Sequence, residues 1–422
     1  MLARAFAGAS RTMGFALSIV LLALASLAVI PAMVAAGGAP AWGAVALGQS
    51  VGAVGAVLVY FGWGLSGPAA IARGDAASRV REFAEAARAR MLLLPVVAAV
   101  AAGVAALVAP ASSALAALGA VSATSIGLTC DWLFIGLVKP YAFLLLETVP
   151  RVLGTIVAIV LMTAGLGVGA GLLAILGGML LAFALVCAWV RVRLSAPLDP
   201  AQRRRPRALG TVLRGQRMGI SSSILASLYV AAPLVIVSLV APGIQPVFAL
   251  VDKVQRQLSV GLGPVVSVLQ GWVPRAQGAA HARRVRQALL GAGLGVLLLA
   301  VAIVVAAPLL LTWLGGGDID VPLLVVVLMA AYVAVNVWES VLAKVVLASY
   351  GRLDIVARAT AVSALIGLPL VAIGALTLGV AAAVAGVLVG LIARVTMEAV
   401  QVLRWRRRER RDASGDLPGT GE

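Results

Sequence analysis

From Met13 to Ala36 the chain runs without one charged side chain, and apolar stretches of this kind recur as far as Leu403. An α-helix of about 20 residues crosses the hydrocarbon core of a bilayer, so most of these stretches have the length of a membrane pass. Composition agrees, with 62% hydrophobic and 12% charged residues and a mean hydropathy of +1.08, where soluble domains carry about 25% charged residues. No soluble fold conceals that much apolar surface. The expected fold class is therefore an all-α, polytopic membrane protein. Arg4 and Arg11 precede the first apolar run, and the small residues at 35–39 resemble a leader cleavage site. The run exceeds the roughly 7–15 residues of a secretory core, which favours a retained first pass.

The net charge of +17 raises nucleic acid as a partner, but its distribution excludes that reading. The basic residues sit in short connectors and tails between apolar runs, where membrane topology and anionic lipid account for them. Cys130 and Cys187 both lie in apolar runs, and His281 is the single histidine. Neither a disulfide framework nor a metal site follows, so the cysteines read as packing residues and no cofactor is expected.

Breaks of charge, glycine and proline divide the chain into about twelve helical passes. The first six fall near 13–36, 43–66, 91–109, 112–138, 142–166 and 170–190. The second six fall near 218–241, 245–273, 288–314, 321–348, 359–378 and 380–403. Arginine and lysine occupy one set of connectors: 73–90, Lys139, 191–217, 275–286, Arg352 with Arg358, and the tail from Arg404. The alternate connectors, GGAPAW, AP, GLGVG, APGIQ, GGGDID and the turn near Leu378, hold none. Cytoplasmic loops carry the excess of basic residues, which places both termini in the cytoplasm. The domains read as a six-helix lobe over 1–190, a basic connector over 191–217, a second six-helix lobe over 218–403 and a basic, then disordered, tail over 404–422. Six passes per half return the second half in the orientation of the first. That is the parallel repeat of some secondary transporters, whose substrate site lies between the halves.

Two catalytic signatures dissolve in context. Gly48-Gln-Ser-Val-Gly52 matches a nucleophile elbow and Gly62-Trp-Gly-Leu-Ser-Gly67 a dinucleotide fingerprint, but both sit in helical, apolar sequence with no preceding strand. Small-residue helix packing explains the first. No phosphate-binding motor motif is present. Gly165, Gly167, Gly169, Gly171, Gly291 and Gly295 offer small surfaces for close helix approach in lipid.

The charges inside the expected passes carry the functional reading. Asp131, Glu147, Asp252, Glu339 and Glu398 are matched by Arg151, Lys253, Arg256, Lys344 and Arg394. Such residues usually face a bundle interior or a wet cavity. Glu147/Arg151, Asp252/Arg256 and Arg394/Glu398 are spaced i,i+4 and share a helix face, which leaves structural self-neutralisation open for each. Lys253 shares its face with Gln257 and Val260 rather than with an acid, so a cation facing the lumen and a snorkelling one both fit. A cationic cavity without histidine, metal or motor suits binding and passage of an anion better than bond making, so no enzyme activity is expected.

Three stretches resemble the Wzx-type polysaccharide flippases of the multidrug/oligosaccharidyl-lipid/polysaccharide exporter superfamily. They are YFGWGLSGPAAIAR (Tyr60–Arg73), WLFIGLVKP (Trp132–Pro140) and FALVDKVQR (Phe248–Arg256), with Pro264 and Pro274-Arg275 also placed as in that family. Ile135 and Val138 depart from its more polar pattern. The resemblance implies a two-lobed, MATE-like bundle with a central cationic cavity. It also implies an oligosaccharide on undecaprenyl diphosphate as substrate, membrane lipid as surroundings and a polysaccharide polymerase as partner. On that basis Lys253, Arg256 and Arg151 are candidates to hold the diphosphate, and Asp131, Asp252, Glu147 and Glu339 to couple ions or gate. The alternatives are a drug/cation antiporter of the same superfamily and a lipid II flippase, which usually carries two further C-terminal helices. A membrane polysaccharide polymerase is disfavoured by the short outer connectors.

Overall fold

The computed structural model describes residues 2–197, 199, 206–273, 278–348 and 352–414. Pro274 and Arg275, part of the 191–217 connector and the tail beyond Ser414 lie outside the described residues. Within them the chain is helical and forms no strand. Ten helical stretches are long and apolar enough to cross a membrane.

The first stretch holds two passes. Helix α1 (Leu2–Tyr60) has 59 residues, which at 1.5 Å each would reach about 90 Å, some three hydrocarbon thicknesses. Gly38 interrupts it with φ 75° and ψ 174°, a backbone region essentially reserved for glycine. One further expected pass, 245–273, appears as α10 (Gln245–Gly261) and α11 (Gly263–Trp272). Asp252, Lys253 and Arg256 on α10 keep it outside the ten apolar stretches. The twelve expected passes thus all have helical counterparts.

The basic connector expected over 73–90 proves largely helical. After the short α2 (Trp63–Arg73), α3 (Ala76–Val108) begins at once. Asp75 caps it by accepting the Ser78 amide hydrogen bond at 2.8 Å, a contact typical of helix starts. The alanines, arginines and glutamates that follow are strong helix formers, so the helix continues beyond its apolar part. The expected pass 112–138 is split into α4 (Ser113–Thr124) and α5 (Asp131–Leu137), with a 3₁₀ turn at Ser125–Leu128 between them. Next come α6 (Pro140–Phe143), a π-helical turn over Leu144–Thr148, α7 (Val149–Thr163) and α8 (Gly167–Val190). The remaining helices are α9 (Leu209–Val240), α12 (Gly278–Gly315), α13 (Leu323–Val341), α14 (Leu353–Thr377) and α15 (Val380–Ser414). A second π-helical turn, Leu342–Leu347, follows α13.

These elements form two compact units. Unit 1 comprises Met1–Lys253 with Leu311–Asp320, and unit 2 comprises Val254–Leu310 with Val321–Glu422. One core cluster of unit 1 is rich in aromatics, with Trp63, Phe83, Trp132, Phe134 and Phe143, beside alanine-rich and aliphatic clusters. A cluster in unit 2 is aliphatic, drawn from Val285, Val341, Leu342, Val345, Val346, Leu347 and Val402. Large apolar side chains such as Leu107, Val305 and Leu309 point outward, as suits a chain whose solvent is lipid.

Close helix approach rests partly on glycines the spacing singled out and partly on others. A Cβ at Gly48 or Gly52 would press on the Ala116 or Ala120 carbonyl of α4, and one at Gly171 would lie 2.8 Å from Met162 Sδ of α7. A Cβ at Gly154 would lie 2.8 Å from Gly178 Cα, joining α7 to α8, and one at Gly390 would lie 2.8 Å from Gly367 Cα, joining α14 to α15. A Cβ at Gly169, Gly291 or Gly295 would meet nothing within 4 Å, and Gly165 and Gly167 serve a turn with φ of 84° and 79°. Sequence spacing marks a small surface but not which neighbour, if any, lies against it.

Candidate functional site

Three helix interruptions in unit 1 meet around one arginine. The first is the α1/α2 junction, where Phe61 and Gly62 adopt φ of 47° and 81° and Tyr60 ends α1. The second is the break at Thr129–Cys130 between α4 and α5. The third is the π-helical turn that carries Glu147. The break at Thr129–Cys130 frees backbone groups that membrane helices otherwise satisfy internally, and side chains take several of them up. Arg90 on α3 donates from Nη1 to the Thr129 carbonyl at 2.8 Å. Glu147 accepts the Cys130 amide at 2.8 Å and also the Thr129 hydroxyl. Asp131 accepts the Trp132 amide at 2.8 Å and the Tyr60 hydroxyl at 2.5 Å.

Arg90 is 1% exposed. Its guanidinium lies 4.7 Å from the Tyr60 ring centroid, 5.3 Å from Trp63 and 5.4 Å from Trp132. Cation–π attraction is worth up to about 2 kcal/mol per desolvated contact and offsets part of the cost of burying this charge. Glu147 is buried beside Arg151, 3.5 Å away across one helical turn, as their i,i+4 spacing anticipated. Asp131, Glu147 and Arg151 are therefore brought together. Arg90 and Tyr60 complete the group, although the sequence placed Arg90 at the end of a basic connector.

The other candidates lie elsewhere. Lys253 is half-buried on α10, and its Nζ donates to Gln49 Oε1 at 3.1 Å. Nearby, Gln245 donates to the Gly43 carbonyl at 2.5 Å, so the first half of α10 is clasped to the second half of α1. Asp252 is buried on the same helix, and Arg256, half-buried, belongs to unit 2. Glu339 is buried in unit 2 on α13, where Arg394 Nη2 approaches it at 2.5 Å while Arg394 Nε reaches Glu398 at 3.2 Å. One guanidinium there serves two buried carboxylates.

Outside the apolar passes, Arg207 docks on α3. Its backbone amide donates to Glu85 at 2.8 Å, and its Nη2 lies 2.7 Å from Glu85 and 3.5 Å from Glu82. The Glu85 hydrogen bond raises the Arg207 guanidinium further above its ordinary value. Among the described residues, no group of histidine, cysteine and carboxylate side chains has the arrangement of a metal site.

No protein-family model matches the chain, and no curated protein matches it. Solved structures do. A multidrug resistance MATE family transporter of the MOP superfamily, in an inward-facing conformation, superposes with a TM-score of 0.68 at 16% identity, covering 93% of this chain and 99% of that one. A MATE structure in a bent conformation gives 0.55 at 15% identity, with 96% of each chain covered. The eukaryotic MATE transporter AtDTX14 gives 0.54 at 13% identity, covering 94% and 95%. The fold is that of the MATE transporters, and the chain is a multi-pass membrane protein.

Proposed function

We propose that the chain is an alternating-access flippase. It moves an undecaprenyl-diphosphate-linked oligosaccharide from the inner to the outer leaflet of the plasma membrane for surface polysaccharide synthesis, with both termini in the cytoplasm. The observation that carries this reading is the concentration of guanidinium groups, Arg90 and Arg151, at the broken helices of unit 1, with Arg90 at the edge of the apolar part of α3. Discontinuous helices form the substrate sites of many secondary transporters, and arginine is suited to phosphate. Lys253, Arg256 and Arg151 hold the diphosphate, while Asp131, Asp252, Glu147 and Glu339 couple ions or gate. An anionic head group leaving an inside-negative cell moves down the potential, which is worth about 2.3 kcal/mol per charge per 100 mV.

The test is deletion of the gene. Lipid-linked repeat units then accumulate on the cytoplasmic leaflet, and their appearance outside at normal levels sinks the reading. Lys253→Ala loses transport, whereas Lys253→Arg retains part of it.

A second reading, a drug/cation antiporter, is favoured by the two carboxylates that share Arg394 in unit 2, because a surplus acid suits a cationic cargo or coupling ion. Export of organic cations by cells carrying the protein, with repeat-unit display unaffected by its deletion, decides for it.

A further inference from the structure

One edge of the buried Arg90 guanidinium is left without a hydrogen-bond partner among the described residues. Arg90 uses Nη1 for the Thr129 carbonyl, while its Nε and Nη2 have no hydrogen-bond partner among the described residues. Nε and Nη2 form the edge of a guanidinium that grips two oxygens of one oxyanion at once. The neighbouring acids are engaged elsewhere: Asp131 by Tyr60 and the Trp132 amide, Glu147 by Thr129, Cys130 and Arg151. Trp132 adds a buried Nε1–H that also has no partner among the described residues. A buried donor left unmatched is costly, and this guanidinium is already stripped of water.

The position of Arg90 along α3 indicates which oxyanion is at hand. The first part of that helix carries Arg79, Arg81, Glu82, Glu85, Arg88 and Arg90, and residues 91–108 carry no charge. Those apolar residues span about 27 Å, close to a hydrocarbon thickness. Arg90 therefore sits at the level where lipid phosphates lie. Helix α2 packs on it through Trp63, whose ring centroid lies 5.3 Å away. Trp63, Gly67 and Ile71 are the buried residues of α2, and Leu65 is 68% exposed. The turn at Phe61–Gly62 and Gly74 bound this short helix.

We propose that the Nε/Nη2 edge of Arg90, with Trp132 Nε1, binds the phosphate of a lipid headgroup, and that α2 covers the site. The site deepens the transport reading by naming the group that unit 1 grips, and it rests on that reading only for the lipid being cargo.

Melting of the purified full-length protein in an uncharged maltoside detergent tests the site. Dihexanoyl phosphatidic acid, inorganic phosphate and chloride are compared at equal ionic strength. The short-chain phosphatidic acid raises the melting temperature by several degrees, and Arg90→Lys, which keeps the charge but loses the fork, abolishes the shift. Where Arg90→Lys does not elute as a single species, Trp132→Phe serves in its place, with the shift at least halved. An equal shift with inorganic phosphate alone overturns the lipid as source while keeping the phosphate site. No shift with either probe, or an undiminished shift in both variants, overturns the site. If binding fails while repeat-unit transport in cells persists, the Arg90 assignment falls and the transport reading stands. If binding holds and transport is absent, the reverse is true.

Discussion

Each unit buries a charge cluster, and the two are balanced differently. Unit 1 sets Asp131 and Glu147 against Arg90 and Arg151, and supplies the acids with hydroxyl and amide donors from broken helices. Unit 2 sets Glu339 and Glu398 against one shared guanidinium, Arg394, with Lys344 adding a weaker attraction on Glu339. The first cluster is held by many short-range hydrogen bonds and an aromatic surround, the second by one shared guanidinium. Removing one partner of a buried pair leaves an uncompensated charge and costs about 3–5 kcal/mol. Which residue is indispensable should therefore differ between the units.

In unit 1 the indispensable member is an acid. Glu147→Ala strands Arg151 and leaves the Thr129 hydroxyl and Cys130 amide without their acceptor. We expect a loss at the upper end of that range, seen as a collapse in the yield of monodisperse protein and in melting temperature. Wild-type melting of this variant would refute the balance drawn for unit 1.

In unit 2 the indispensable member is the base. Arg394→Gln leaves two buried carboxylates facing each other, whereas Glu398→Gln leaves the Glu339–Arg394 contact of 2.5 Å in place. Arg394→Gln should lower stability by about 3 kcal/mol and Glu398→Gln by clearly less. The double variant should recover part of the loss, because residues in one network are not additive. Melting curves of the three variants check this, and equal effects of the two single substitutions contradict it.

Helix contacts make a smaller comparison that the units share. Gly154→Ala and Gly390→Ala each force a methyl group against backbone 2.8 Å away, and overpacking of this kind costs about 1–3 kcal/mol. Gly295→Ala meets open space and should be neutral or slightly stabilising, since alanine is the better helix former. If Gly154→Ala melts like Gly295→Ala, the α7/α8 contact is looser than described.

The same contrast shows what was legible in the sequence. Passes were readable because hydropathy sums over some 20 residues and does not depend on the neighbours. The Glu147/Arg151 and Arg394/Glu398 pairs were readable because helical periodicity alone brings i and i+4 together. The Glu339–Arg394 contact was not, since it joins α13 to α15 across packing that no local pattern encodes. Arg90 was missed because a cation at the edge of an apolar run looks like a connector residue. A signal was nevertheless present: Phe83, Ala86 and Arg90 follow the i, i+3, i+7 stripe of a buried helix face, and all three are buried. Lys253, singled out because no acid shares its helix face, donates to the Gln49 amide oxygen on α1.

The smallest expected effect concerns Arg207, which joins the connector after α8 to α3. Glu85 is buried, but the Arg207 side chain is about half exposed (49%), so water and salt screen the pair. Ion pairs of this exposure contribute about 0–1 kcal/mol, and Arg207→Gln should cost no more than that. Two features distinguish this contact from the buried clusters. Its backbone amide bond to Glu85 survives the substitution, so the connector stays attached. The remaining electrostatic part weakens as ionic strength rises, because the Debye length falls from about 10 Å at 0.1 M to about 3 Å at 1 M salt. The melting difference between wild type and Arg207→Gln should therefore shrink toward zero in high salt, while that of Glu147→Ala persists. A difference for Arg207→Gln that stays constant with salt would place Arg207 among the buried charges rather than at the solvent edge.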